Sequence, residues 1–210
     1  MTTLQSKADP LSEAKRTERG FSVVELLIVV GLMIILTAIS VFAIRPTRKN
    51  ISADDAAELV TNYLREAYHR ALTQRQTFRV DIDVAGQWVI LTDENRLPVG
   101  DEIEVKRSKL VSPVSMTRPV SGGSPLPLPP SPYNYPSATF TSSLVWSARF
   151  KSDGTVVDTD GNPMSATLFF SPAQLGSNDF NLVRAITLFG PSGSTRTWRF
   201  DGTNFDGGGK

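Results

Sequence analysis

Apolar and polar positions change their period along this chain, and each change predicts an element. Residues 1–20 mix polar and charged side chains without an apolar run. Phe21 then opens the stretch FSVVELLIVVGLMIILTAISVFAI, which is apolar almost throughout. From 26 to 44 there is no charged residue over 19 positions, close to the ~20 residues with which a helix crosses a hydrocarbon core. Pro46 follows, where a missing N–H and a clashing ring are expected to kink or interrupt a helix. Ser52-Ala53-Asp54-Asp55 next resembles an N-terminal cap. Over 54–75, Ala56, Val60, Tyr63, Leu64, Ala67 and Ala71 recur at three- and four-residue spacing. Arg65, Glu66, Arg70 and Arg75 take the other faces, the pattern of an amphipathic helix.

Beyond Gln76 the period shortens to two. Residues 77–83 and 87–92, divided by a short glycine-containing turn, read as a hairpin, and 102–105 as a third strand. Residues 112–136 carry eight prolines with Gly122-Gly123 between them. That composition predicts a long surface loop of partly polyproline character, with peptide recognition as the alternative. Strand-like runs resume at 138–147, 148–151, 166–171, 185–189 and 195–200, separated by turn residues. The expected fold class is α+β: a long N-terminal helix, membrane anchor plus amphipathic half, packed on a mainly antiparallel β head. No βαβ alternation suggests a nucleotide fold.

Composition narrows the chemistry. The formal charge is +1 from 22 basic and 21 acidic residues, which does not single out a polyanion ligand. There is no cysteine, so disulfides, thiolate catalysis and cysteine-held zinc are excluded. With His69 as the one histidine, a histidine-rich metal site or a Ser-His-Asp triad is not expected; His69 reads as a surface or helix-packing residue. The length suits one globular domain plus an anchor. Lys7, Lys15, Arg16 and Arg19 before the apolar run favour a cytoplasmic N-terminus, while Arg45, Arg48 and Lys49 beyond it argue the other way. Glu25 is the unusual residue, because a carboxylate at the bilayer centre costs a few kcal/mol and less toward the interface. Two readings stay open: Glu25 sits among headgroups, or another subunit supplies its partner.

Arg19-Gly20-Phe21-Ser22-Val23-Val24-Glu25-Leu26-Leu27 resembles the class III signal of type IV pilins and pseudopilins. In that signal a basic leader ends in Gly, Phe follows, and Glu is the fifth residue of the mature chain. The resemblance implies cleavage between Gly20 and Phe21 by a prepilin peptidase, N-methylation of Phe21, and pairing of Glu25 with the N-terminal amine of a neighbouring subunit. The stretch 56–80, Phe150-Lys151-Ser152-Asp153-Gly154 and the closing strands around Gly193 resemble the general secretion pathway protein H and FimT group of minor pseudopilins. A compact head of that group has no counterpart to the proline-rich insertion. The implied organisation is a cleaved cytoplasmic leader (1–20), a transmembrane helix (21–44), an amphipathic helix half (45–76) and a periplasmic β-rich head (77–210). The implied location is a bacterial inner membrane, crossed once. The implied function is structural, a minor pseudopilin of a type II secretion system, with a type IV pilus minor pilin in assembly or DNA uptake as the alternative. Its expected partners are other pseudopilins or pilins, the prepilin peptidase and N-methyltransferase, and the membrane.

No reaction and no cofactor are expected. No P-loop, G-x-S-x-G or dinucleotide fingerprint occurs. Asp153, Asp158 and Asp160 form a weak calcium candidate whose spacing does not match an EF-hand loop, and Asp-Gly pairs are ordinary turn formers. For DNA, not an expected partner, the candidates are Arg184, Arg196 and Arg199, with Lys210 at the tail and Trp198 as a stacking surface. The alternation in STRTWRFDG fits a half-exposed strand equally well.

Overall fold

The structure, a computed structural model, describes residues 22–94, 102–110, 114–176 and 179–207, excepting the side chains of 40–51. The chain divides into two compact units, Met1–Ile44 and Arg45–Lys210. Helix α1 is Val23–Gln74. The helical assignment passes through Pro46, so the expected interruption is not found: a proline withdraws one N–H from the ladder without having to end it. Ser52-Ala53-Asp54-Asp55 accordingly lies within the helix rather than at its start.

In the second unit α1 is followed by β1 (Phe78–Asp83), β2 (Trp88–Asp93), β3 (Ile103–Lys109), β4 (Val114–Ser115), β5 (Val120–Ser121), β6 (Ser124–Pro125), β7 (Val145–Phe150), β8 (Val156–Val157), β9 (Ala166–Pro172), β10 (Arg184–Phe189), β11 (Ser194–Phe200) and β12 (Phe205–Asp206). One sheet has the order β3-β2-β1-β7-β8 and a second the order β12-β11-β10-β9-β4, while β5 and β6 form a small hairpin. The strands pair antiparallel throughout. The third strand extends to Lys109, beyond its expected end. Of 138–147, only the final part, from Val145, belongs to a strand; Thr141 and Leu144 are held in a turn before it, with the Leu144 N–H donating to the Thr141 carbonyl.

The small-residue face expected of the helix is the buried one. Ala56, Val60, Tyr63, Leu64, Ala67 and Ala71 all join the main core, against the inner faces of both sheets. Alanines there let backbone and sheet approach closely, and each buried Val, Leu or Phe contributes about 1.5–3 kcal/mol. Strand β1 alternates strictly between buried and half-buried positions. Its outward residues carry an ion network: Arg79 reaches Asp81 at 2.8 Å, Glu94 at 2.7 Å and Glu102 at 2.7 Å, and Arg149 reaches Glu94 at 2.9 Å. Donating hydrogen bonds to the Glu102 carboxylate raises the Arg79 pKa well above its ordinary value. Edge strand β3 is latched to α1, where the Tyr63 hydroxyl donates to Ser108 Oγ at 2.7 Å and Lys106 pairs with Glu66 at 2.8 Å.

The second sheet is apolar at its centre. All seven residues of β9 are buried. Leu168 and Phe170 belong to the main core, whereas Phe169 belongs to a second cluster with Leu126, Val183, Ala185, Trp198, Phe200 and Phe205. Leu128 and Tyr133 pack against that cluster. The surface loop of the proline-rich stretch is thus also a fitted cover for this cluster. Its prolines fix extended backbone at low entropic cost, and Leu126, Leu128 and Tyr133 between them bury the sheet's outer face. The turn at Gly154 and the one at Gly193 both have positive φ and both meet Tyr68 of α1; a Cβ at Gly193 would stand 2.4 Å from the Tyr68 ring.

Candidate functional site

The first unit presents its candidate site at the start of α1. Ser22 is the N-cap: its Oγ accepts the Val24 N–H at 3.3 Å and its carbonyl accepts the Leu26 N–H at 3.1 Å. Glu25 lies in the first turn, where the exposed N–H groups and helix dipole favour negative charge. Ser22 and Glu25 thus have the Ser-x-x-Glu spacing of a capping box, a spacing that sequence reasoning did not single out. From Val23 to Ile39 every residue is exposed except half-buried Gly31. Exposure runs from 82% at Val23 to 44% at Val29, so the apolar surface is present around the whole helix. The Thr37 hydroxyl donates to the Met33 carbonyl at 2.7 Å, leaving no free polar hydrogen at that position. Gly20 and Phe21 lie outside the described residues. Among the described residues no helix is long and apolar enough to cross a membrane; the described side chains of this run end at Ile39, and the apolar sequence continues to Ile44.

The three arginines proposed for nucleic acid fall on two faces of one sheet. Arg184 stands opposite Arg199 in the β10–β11 register, and Thr187 opposite Arg196. Arg184 is buried and forked onto both carboxylate oxygens of Asp54, and it also donates to the Asn181 and Val183 carbonyls at 2.8 and 3.1 Å. Those bonds use its donors within the fold. Arg196 lies on the opposite face, 4.6 Å from the centre of the Trp198 ring and 5.0 Å from that of Tyr133, a double cation–π seat. Trp198 is 4% exposed and donates its ring N–H to Thr187 Oγ1 at 3.0 Å, so its face is not open to a base. Arg199 is exposed and makes no ion pair among the described residues. The three do not form one patch.

Two of the three aspartates of the calcium candidate, Asp153 and Asp158, turn onto their own loop. Asp153 Oδ1 accepts from the Thr155 N–H at 2.9 Å and hydroxyl at 2.6 Å. Asp158 Oδ1 accepts from the N–H groups of Asp160 and Asn162, each at 2.9 Å. These hydrogen bonds lower the pKa of both carboxyls, from Thr155 in one case and Asn162 in the other. Among the described residues no group of three or more His, Cys, Asp or Glu is placed to hold a metal ion. His69 is exposed on α1, its ring edge-on to Tyr68 at 5.7 Å.

No family model matches the sequence, and no curated protein matches it. Among solved structures, the crystal structure of the type IV minor pilin FimU of Pseudomonas aeruginosa is similar, at 12% identity and a TM-score of 0.45, over 73% of this chain and 92% of that chain.

Proposed function

We propose that the chain is a minor pseudopilin, a structural subunit of a short periplasmic filament that serves type II secretion. The observation that carries this reading is the placement of Glu25. It stands in the first turn of a helix whose following side chains are apolar and exposed on all sides, five residues after Gly20 in a sequence that resembles the class III signal. An exposed apolar surface of that extent calls for lipid or sister helices around it. A carboxylate in such surroundings is strongly penalised unless a positive charge neutralises it. Cleavage after Gly20 would create that charge as the N-terminal amine of Phe21, on the next subunit. Removal of the leader takes away four basic and three acidic residues and leaves the remaining chain balanced, so charge does not oppose close packing.

On this reading the 26–44 segment crosses the inner membrane with the head in the periplasm, and the prepilin peptidase and its methylase act on the chain as a substrate. Gly31 and Ala38 give small faces for close helix approach. The test is Glu25→Ala in cells carrying the secretion system. Processing at Gly20 continues and recovery of the subunit in sheared filaments falls by about tenfold or more, the scale of an unpaired buried charge; undiminished recovery overturns the carboxylate–amine pairing. Loss of exoprotein release, rather than of surface pili, on deleting the chain separates the secretion role from a pilus role.

A further inference from the structure

Strands β10 and β11 gather several side chains on one outer face of the head. In their register Thr187 stands opposite Arg196 and Phe189 opposite Ser194. Trp198, two residues beyond Arg196, points to the same side. The proline-rich stretch meets this face with two tyrosines. Tyr133 packs on Trp198 with ring centres 5.3 Å apart, and Tyr135 stacks on Phe189 at 5.8 Å, the planes 18° apart. Tyr133, Tyr135, Phe189 and Arg196 border a cleft of about 190 Å³ with Thr187 in its lining. That space suits one six-membered ring rather than a larger ligand.

The donors around the cleft are positioned but unpaired. Arg196 is half-buried, its guanidinium centre 4.6 Å from the Trp198 ring centre and 5.0 Å from that of Tyr133. Gly207 comes so close that a Cβ there would stand 2.6 Å from Arg196 Nη2. Confined in this way, the guanidinium makes no hydrogen bond or ion pair among the described residues, and neither do the Tyr133 and Tyr135 hydroxyls. None of these donor atoms is sealed from solvent. The Thr187 hydroxyl is already used, since its Oγ1 accepts the Trp198 ring N–H at 3.0 Å. Burial, and then the neighbouring Tyr133, push the Tyr135 pKa up, so that hydroxyl stays a donor at neutral pH. Among the described residues lining the cleft none is acidic, and Arg196 alone is charged.

We propose that this cleft binds a carboxylated sugar ring, the chemistry of a uronic acid. The faces of aromatic rings carry negative charge and attract the C–H-lined face of a pyranose. The Arg196 guanidinium suits a planar carboxylate through two N–H groups, and the rings that hold it reduce the ordering that binding requires. The two phenol hydroxyls match hydroxyls on the sugar, which an aromatic acid would leave without partners. One cation with no second beside it favours a single negative charge over a phosphate dianion. The source is a free sugar acid or a uronate residue within a polysaccharide. The cleft lies wholly in the second unit and uses neither Glu25 nor the apolar run, so it stands or falls apart from the proposed filament role.

The experiment is an NMR titration of the full-length chain in detergent, read at the Trp198 ring N–H and the Tyr135 and Arg196 amides. The probes are methyl glucuronide, methyl glucoside, benzoate, inorganic phosphate and a short oligoglucuronate. Saturable shifts with methyl glucuronide are the expected result. The glucoside lacks the carboxylate and benzoate lacks the hydroxyls, so each binds about tenfold more weakly or worse. Tighter binding of the oligomer points to a polysaccharide, and equal or weaker binding to a free sugar acid; both support the site. Arg196→Gln lowers glucuronide binding to the level of the glucoside. Tyr135→Phe keeps the stacked ring, leaves the unfolding of the head unchanged and weakens binding about threefold, the scale of one neutral hydrogen bond. The proposal is overturned by the absence of saturable shifts with methyl glucuronide, by benzoate or phosphate binding as tightly, or by undiminished binding in either variant.

Discussion

Helix α1 is one element with two characters. Between Val23 and Ile39 its apolar residues are exposed all round, whereas from Ala53 to Ala71 it buries a narrow face of alanines, Val60, Tyr63 and Leu64 and leaves its charges outside. The same backbone hydrogen bonding underlies both. What differs is where the apolar side chains find partners: the second stretch finds them within its own chain, and the first does not. The second stretch is specified by its own head; under the proposed function, lipid and sister helices would do the same for the first.

That contrast breaks most sharply under charge. Ala67→Glu puts a carboxylate into the main core, and the head loses more than about 4 kcal/mol of stability or fails to fold, read by chemical denaturation. Ile34→Glu, a similar insult in the first stretch, leaves the unfolding of the head unchanged and, under the proposed anchoring, lowers recovery of the chain in the membrane fraction. A destabilised head in Ile34→Glu contradicts the division of labour. The cover over the second sheet gives the next effect: Leu126→Ala costs about 2–5 kcal/mol by the same measurement, where a detached loop would give no change. Asp54→Asn leaves buried Arg184 short of its counter-charge and costs about 1–3 kcal/mol.

The smallest effect is electrostatic. Hydrogen bonding from Lys106, and then from Arg70, holds the Glu66 carboxyl below its ordinary value of 4.5, and Arg79 does the same for Glu102. A depressed folded-state pKa contributes stability that is present above the unfolded value and lost as pH falls through the folded one. Stability should therefore decline on acidification below about 4.5. For such exposed pairs the loss is below about 1 kcal/mol. Combining Glu66→Gln with Glu102→Gln flattens that part of the pH profile; an unchanged slope contradicts the assignment.

Much of this was legible in the residues. Three- and four-residue spacing identified the buried face of α1, and alternation located β1, β2, β10 and β11 to within a residue or two. Parity alone also separates Arg196 from Arg199, since positions three apart on a strand face opposite ways. Register was not legible, and it is register that sets Arg184 opposite Arg199 and leaves Asp54 to claim the former. For the proline-rich stretch, composition reports what a segment cannot form, a helix or a central strand, and is silent on what its few apolar side chains cover.

The proposed role of Glu25 rests on the junction between Gly20 and Phe21. Intact-mass and N-terminal analysis of the chain purified from its native membrane tests it directly. The predicted result is a chain that begins at N-methylated Phe21; a chain that retains Met1 to Gly20 with an unmodified start would leave Glu25 without its proposed partner and contradict the account.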